Sequence, residues 1–285
     1  MTTARTTIGI DLRDDLFYVA RIEHQIGRQE IKALLRLERQ HLGEHHLVQG
    51  GEFVMSIPDE MVMVKHLVLN GHNDIEMKVK FELAQLLPES PDQYLFDTIH
   101  SGLDSRYIGL AVRRDRLDDY KASTLADKVP ALVNSRYEMR AAALALGYTE
   151  FCRKSGGDLI CLADFTRSAV SLAFIYQDAL IDLCCIPLTR SDLNTAGGFG
   201  KMAVELKTLV NFKSASLFSQ GITTPLSCLI VSGDAIDDDT IEKLNRYFTI
   251  DINRPNVNTG FFSGQGDLTS VPLEKYLVAL GLAAK

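Results

Sequence analysis

The chain has 285 residues, 46% of them hydrophobic, and a formal charge of −7. That length buries one large core or two smaller ones, and the acidic balance, with no dense Lys/Arg run, argues against nucleic acid as the main partner. No run of about 18 uncharged apolar residues is present, so no membrane-spanning helix is expected, and the start MTTARTTIGID has no signal-peptide core. Five cysteines without a CxxC pair read as reduced core thiols of a cytosolic protein.

Residues 7–10 form a short apolar run ending at Asp11. Leu12-Arg13-Asp14-Asp15 reads as a turn, residues 16–23 as a second strand, and residues 30–37, beyond Gly27, as a third. The polar stretch that follows carries His41, His45 and His46. Gly43 interrupts any helix there and no acid or thiol is placed as a further ligand, so a solvated loop is expected and no metal site. Residues 53–69 read as two strands about Pro58-Asp59. Asn73-Asp74 is the predicted cap of the helix DIEMKVKFELAQLL, which Pro88 stops. Strands are predicted at 94–100 and 107–112, a helix at 116–127, a short strand at 130–133, and a long Ala-rich helix at 135–153. Lys154-Ser155-Gly156-Gly157 is the expected boundary between two halves.

The second half repeats the opening plan. Residues 159–162 run into Ala163-Asp164, Phe165-Thr166-Arg167-Ser168 is the turn, and strands at 169–176 and 179–186 meet at Gln177-Asp178. In both copies an aspartate ends the first strand and the second begins five residues later. A loop with Gly197-Gly198 (192–200), a helix (201–219), a buried strand (226–231) ending in Ser232-Gly233-Asp234, a helix (236–248), an edge strand (249–253), a loop (260–266) and a terminal helix (273–284) complete the chain. Asp237, Asp238 and Asp239 complement the dipole of their helix rather than hold a metal.

Several nucleotide and hydrolase motifs fail on spacing. Gly198-Phe199-Gly200-Lys201 lacks the first glycine of a P-loop, and Met202 stands where its hydroxyl residue belongs. Gly260, Gly264 and Gly266 do not make GxGxxG between a strand and a helix, and no GxSxG or HExxH occurs.

Two meander halves, each followed by helix and each with an aspartate at the first turn, resemble the actin-like ATPase superfamily. The resemblance implies that Ile8-Gly9-Ile10-Asp11 and Ala163-Asp164 begin the two loops that clasp nucleotide phosphates, with Val231-Ser232-Gly233-Asp234-Ala235 as the loop behind the adenosine. Within that superfamily the chain resembles the PilM family of type IV pilus assembly, and more distantly the cytoplasmic part of the type II secretion protein GspL. The segment Phe81-Glu82-Leu83-Ala84-Gln85-Leu86-Leu87-Pro88 is similar to that family's WEAEQYIPF, and Val278-Ala279-Leu280-Gly281-Leu282-Ala283 to its final helix. The implied fold class is α/β: an actin-like (ribonuclease H-like) two-lobed fold with a first lobe over 1–153, an FtsA/PilM-like inserted subdomain at about 52–115, and a reduced second lobe over 154–285 lacking most of subdomain 2B.

By resemblance, the nucleotide site would use Asp11, Asp164, Gly197, Gly198 and Gly233. The chain departs from the family there. Leu12-Arg13-Asp14-Asp15 replaces a small, phosphate-compatible loop, Phe165 replaces a glycine, and Asp234 replaces the second glycine of the adenosine loop. Added carboxylates oppose phosphate, so a degenerate site is expected, with ATP and magnesium bound weakly or not at all, no cofactor required, and no catalytic residue assigned. The resemblance implies a cytoplasmic scaffold at the inner face of a bacterial inner membrane that binds the cytoplasmic tail of a PilN-like protein and connects to a motor ATPase. Val62, Val64 and Phe81 are candidates for the walls of its groove, or ordinary core of the inserted unit, with strand addition and apolar anchoring both open. An active phosphotransferase or ATPase, and an FtsA-like filament former, are the alternatives.

Overall fold

The computed structural model describes residues 5–44, 50–69, 74–103, 105–125, 132, 135–152, 158–189, 195–262 and 271–285. In the first half, β1 (Arg5–Arg13), β2 (Leu16–Gln25) and β3 (Arg28–Glu38) form an antiparallel meander. β4 (Glu52–Ile57) and β8 (Arg136–Met139) add in parallel beyond β1, giving the order β3-β2-β1-β4-β8. The second half repeats this with β9 (Leu159–Phe165), β10 (Ala169–Tyr176), β11 (Ala179–Pro187), β12 (Leu226–Gly233) and β13 (Asp251–Asn253), in the order β11-β10-β9-β12-β13. Gln177 and Asp178, between β10 and β11, both take positive φ (51° and 62°), the primed turn that matches the twist of a tight hairpin.

Parallel neighbours need long crossovers, and the two lobes fill theirs differently. Between β4 and β8 lies an inserted three-stranded sheet, order β5-β7-β6, made of β5 (Val62–Val68), β6 (Tyr94–His100) and β7 (Arg106–Arg113). The same crossover carries α1 (Ile75–Ala84) and α2 (Arg114–Leu125). α3 (Arg140–Phe151) leads from β8 towards the second lobe. There α4 (Ala196–Ser219) precedes β12, α5 (Asp238–Asn245) precedes β13, and α6 (Leu277–Ala283) comes last.

Alternation with period two sorts the strand side chains. Ile8, Ile10, Phe17, Val19, Phe53 and Met55 cover the outer face of the first sheet. Tyr18, Ala20, Ile22 and Val54 face inward, and so do Ile160, Leu162, Ala173, Ile175 and Ile230 of the second sheet. α3 and α6 lie between these inner faces. Every residue of α6 is buried, which suits a helix apolar on all sides. Its approach requires missing side chains: a Cβ at Gly147 would collide with the Leu277 carbonyl, one at Gly281 with the Ala143 carbonyl, and one at Gly9 with the Ala279 carbonyl. α4 and α5 cover the outer face of the second sheet through Met202, Leu206, Val210 and Leu244.

The structure revises several sequence expectations. β1 runs on to Arg13, so Leu12 and Arg13 are strand and only Asp14-Asp15 turns, with Asp14 at φ 53°. Residues 136–139 are strand rather than helix because β4 offers an open parallel edge that outweighs local propensity. α4 begins at Ala196, which places Gly197 and Gly198 in a helix rather than a loop; Thr195 caps it by accepting the Gly198 N–H. Asp74 precedes α1 at φ 58° without a side-chain cap bond. The expected boundary at 154–157 lies outside the described residues, as do His45, His46 and all of 130–133 except Leu132.

Gly281→Ala is expected to cost at least about 3 kcal/mol, because helix backbone rather than a movable side chain blocks the added methyl. Gly197→Ala, with open space around it, is expected to be neutral or stabilising by up to about 1 kcal/mol. Urea unfolding of both variants measures the contrast, and equal midpoints would refute the close crossing of α3 and α6.

Candidate functional site

The parallel strands bring their carboxyl ends to one place, and the inner-face alternation decides what meets there. Gly9, Asp11 and Arg13 share one face of β1 and Val54 and Ser56 one face of β4, while Ile160, Leu162 and Asp164 share one face of β9 and Ile230 and Ser232 one face of β12. The side chains of Asp11, Arg13 and Asp164 have no solvent exposure. Arg13 donates from Nε to Asp11 Oδ2 (2.6 Å), from Nη2 to Asp164 Oδ1 (3.1 Å) and from Nη1 to Asp234 Oδ1 (3.5 Å). Its guanidinium also lies 5.1 Å from the centre of the Tyr18 ring.

Further donors complete the cluster. Arg140, the first residue of α3, donates from Nη2 to Asp11 Oδ1 (3.0 Å) and to the Leu12 carbonyl (2.5 Å). Ser56 Oγ donates to Asp11 Oδ1 (2.7 Å), and Ser232 Oγ to Asp164 Oδ1 (2.9 Å). Asp164 Oδ2 is buried and has no hydrogen-bond partner among the described residues. Gly233, at φ 114°, lets the chain leaving β12 press against the Phe165 backbone, where any Cβ would collide. The next residue, Asp234, is thereby delivered to Arg13. Across the cleft mouth the β1–β2 and β9–β10 turns face each other, with Arg167 Nε 3.7 Å from Asp14 Oδ2.

Burial and charge act against each other on these groups. Burial pushes the Asp11 carboxyl up, but Arg140, Arg13 and the Ser56 hydroxyl outweigh it and hold the group below its usual value. At Asp164 burial prevails over the Arg13 charge, and the carboxyl is raised. Burial also opposes the charge on Arg13 and Arg140, but the surrounding carboxylates raise both. Asp59, in the turn after β4, is buried close by. Its Oδ1 accepts the Ala141 N–H at the start of α3 (3.0 Å), and its Oδ2 has no partner among the described residues. Burial pushes this carboxyl up to about 6, against the Ser171 hydroxyl, the Ala141 N–H and Arg140.

The structure brings Asp11, Asp164 and Gly233 together. Gly197 and Gly198 stand in the first turn of α4, where the Gly198 N–H serves the helix cap. Arg140 and Ser56 carry no motif that marks them in the sequence, and Arg13 and Ser232 stand there only as members of the two loops, without a role of their own. Period-two counting from Gly9 would have reached Arg13 had the strand been extended past Asp11. Among the described residues no group of three or more His, Cys, Asp or Glu side chains is spaced to hold a metal ion.

A second feature lies where the inserted sheet meets the first lobe. A cavity of about 330 Å³ is walled by Val62, Leu95, Leu110, Val112, Leu117 and Met139. β6 and β8 are edge strands of their sheets, and both contribute to it. Val64, two residues along β5, packs beside the cavity against the cluster of Leu110, Met139 and Ala142. Phe81 stands apart: α1 covers the opposite face of the inserted sheet, over Gly109, and leaves Phe81 66% exposed. The inserted sheet is also pinned to the second lobe. His66 Nε2 lies 2.8 Å from Asp182 Oδ1, which also accepts from Lys213 of α4 (3.0 Å), and Arg106 donates to Gln220 (3.0 Å).

Two lobes of repeated strand order, with an aspartate at each facing strand end, define an actin-like ATPase fold. Among solved structures the chain is similar to one from the PilM-PilN type IV pilus biogenesis complex, with a TM-score of 0.73 at 14% identity over 98% of this chain and 97% of that one. It is also similar to a Bacteroides thetaiotaomicron protein with an actin-like ATPase fold and unknown function, with a TM-score of 0.53 at 10% identity over 87% and 90% of the two chains. The cytoplasmic domain of EpsL, an inner-membrane component of the Vibrio cholerae type II secretion system, gives 0.50 at 10% identity over 98% and 95%. At these identities the likeness is one of fold. No protein-family model matches the sequence, and no curated protein matches it significantly.

Asp59 yields a pH test. Its folded-state value of about 6 lies above the usual carboxylate range, so its charged form destabilises the fold and stability is lost as pH rises from about 4 through 6. Asp59→Asn keeps an acceptor for the Ala141 N–H and removes that loss. Relative to wild type, the variant is expected to gain about 2–3 kcal/mol between pH 4 and pH 7, read from chemical unfolding at both values; a difference that does not change with pH would refute it.

Proposed function

We propose that this chain is a scaffold of a type IV pilus or type II secretion inner-membrane platform, that it captures the cytoplasmic tail of a PilN-like membrane protein, and that it works without turning over ATP. The observation that carries this reading is the apolar cavity between the inserted sheet and the first lobe, with an edge strand on each side. An extended peptide laid there gains main-chain hydrogen bonds from β6 or β8 and places alternate apolar side chains against Val62, Leu110 and Leu117, which favours strand addition with apolar anchors. The likeness to a chain of the PilM-PilN complex supports the kind of partner. A motor ATPase of the same assembly is the expected second partner. The tail it binds holds the chain at the cytoplasmic face of the membrane; among the described residues no helix is long and apolar enough to cross a membrane.

The cleft supports the absence of turnover. Both oxygens of Asp11 accept from guanidiniums or Ser56, and Asp164, bonded through Oδ1 to Arg13 and Ser232, has no solvent exposure at its remaining oxygen, so neither is in reach of a water or hydroxyl as a general base.

Titration with a synthetic peptide of the cytoplasmic tail of a PilN-like membrane protein from the same organism tests the groove. Leu95→Asp, at a residue 36% exposed in the cavity wall, is expected to weaken binding at least about tenfold, the equivalent of ~1.4 kcal/mol, with little change in melting temperature. Phe81→Ser, on the far face, is expected to bind as wild type. Equal affinity for wild type and Leu95→Asp would sink the assignment.

A further inference from the structure

We propose that Arg13 is the resident cation of the interlobe cleft: its guanidinium fills the place between the two strand-end aspartates that the fold would give to a magnesium–phosphate group, and it holds the lobes together without any ligand. The inference rests on the nucleotide-independent reading above and supplies its physical cause.

The residues present do not fit magnesium and a nucleotide. Three nitrogens of one guanidinium each face a different carboxylate, at 2.6, 3.1 and 3.5 Å, from Asp11 in the first lobe and Asp164 and Asp234 in the second. The Arg13 side chain has no exposure, so it does not swing aside into solvent from the observed position. Magnesium needs about six oxygens at ~2.0–2.1 Å in octahedral order and keeps several waters. Asp11 Oδ2 and Asp164 Oδ1 are already taken by Arg13, and Asp11 Oδ1 by Arg140 and Ser56. A phosphate chain is excluded separately. Asp234 places a carboxylate on the approach to the cleft, 3.5 Å from the Arg13 guanidinium. Asp14, on the first turn, adds a further carboxylate at the mouth.

The arrangement is also a crosslink. Arg13 and its two second-lobe partners are separated by 151 and 221 residues in the chain. A guanidinium with its fixed fork satisfies such a set of acceptors better than the point charge of lysine. The cleft is therefore closed by covalently attached charge, and its closure does not depend on nucleotide level.

Calorimetric titration and thermal melting of the full chain test this. Wild type is expected to show no heat of binding with Mg-ATP and no shift in melting temperature with Mg-ATP or with magnesium alone. Arg13→Met is expected to melt about 10 °C lower, since it strands buried carboxylates. Arg13→Lys is expected to fall between the two. As a control for misfolding of Arg13→Met, the charge-balanced double variant Arg13→Met/Asp164→Asn is measured beside it and is expected to fold and recover at least half of the loss. Wild-type binding of Mg-ATP overturns both this inference and the nucleotide-independent reading. A wild type that binds none, with Arg13→Met melting as wild type or with no recovery in the double variant, overturns this inference alone.

Discussion

A guanidinium cut off from water has to be met by acceptors on every side, and that requirement at Arg13 organises the region where the lobes join. Moving one such ion out of water costs several kcal/mol even after the protein relaxes, and only close, well-directed partners offset it. The partners come from β1, β9 and the chain beyond β12, so the position of one lobe relative to the other is part of the solvation of a single side chain. The charge count is uneven. Arg13 and Arg140 face Asp11, Asp164 and Asp234, with Asp59 close to Arg140. Burial raises the carboxyls of Asp164 and Asp59, each of which keeps one oxygen without a hydrogen-bond partner among the described residues. Asp11, which touches both guanidiniums, is the one held low.

The two lobes repeat more than a strand order. In each, an aspartate ends the first strand and a serine on the neighbouring parallel strand donates to it, Ser56 to Asp11 and Ser232 to Asp164. The symmetry breaks two residues further on. Arg13 follows Asp11 by two positions and turns inward; Thr166 follows Asp164 by two and spends its hydroxyl on its own turn, bonding the Ala169 carbonyl. One side of a duplicated frame thus supplies both guanidiniums, and the other supplies two of the three carboxylates that Arg13 meets. The inserted sheet adds a second asymmetry, since it grows from the first lobe yet is held to the second through Asp182.

Much of this fold can be read from the chain. Residues 159–187 and 5–38 announce two meanders because their apolar runs are short and bounded by strong turn residues, and the repeated aspartate marks where they correspond. The site was less legible. A turn assigned to Leu12-Arg13-Asp14-Asp15 treats Arg13 as surface, because two acids and an arginine in a row have the composition of a loop. Only the pairing of Arg13 with Leu16 carries the strand further, and pairing is a tertiary fact. Arg140 was hidden for a similar reason: an Ala-rich pattern from residue 135 conceals the switch from β8 to α3 that aims it at Asp11. Phe81 illustrates the reverse, since the family resemblance puts its segment beside the groove while α1 carries it to the far face of the inserted sheet.

The placement of α6 governs the order in which the molecule can be completed. This helix, residues 277–283, covers the inner face of β1, β2 and β4 and meets α3 at the two glycines. On the ribosome, the strands of the first lobe emerge long before the helix that closes their core. Until residues 277–283 have emerged, Tyr18, Ala20 and Val54 lack the helix that packs against them. The first lobe is thus not a module that matures early and waits for the second, and a shortened transcript or stalled translation would leave both lobes unfinished at once.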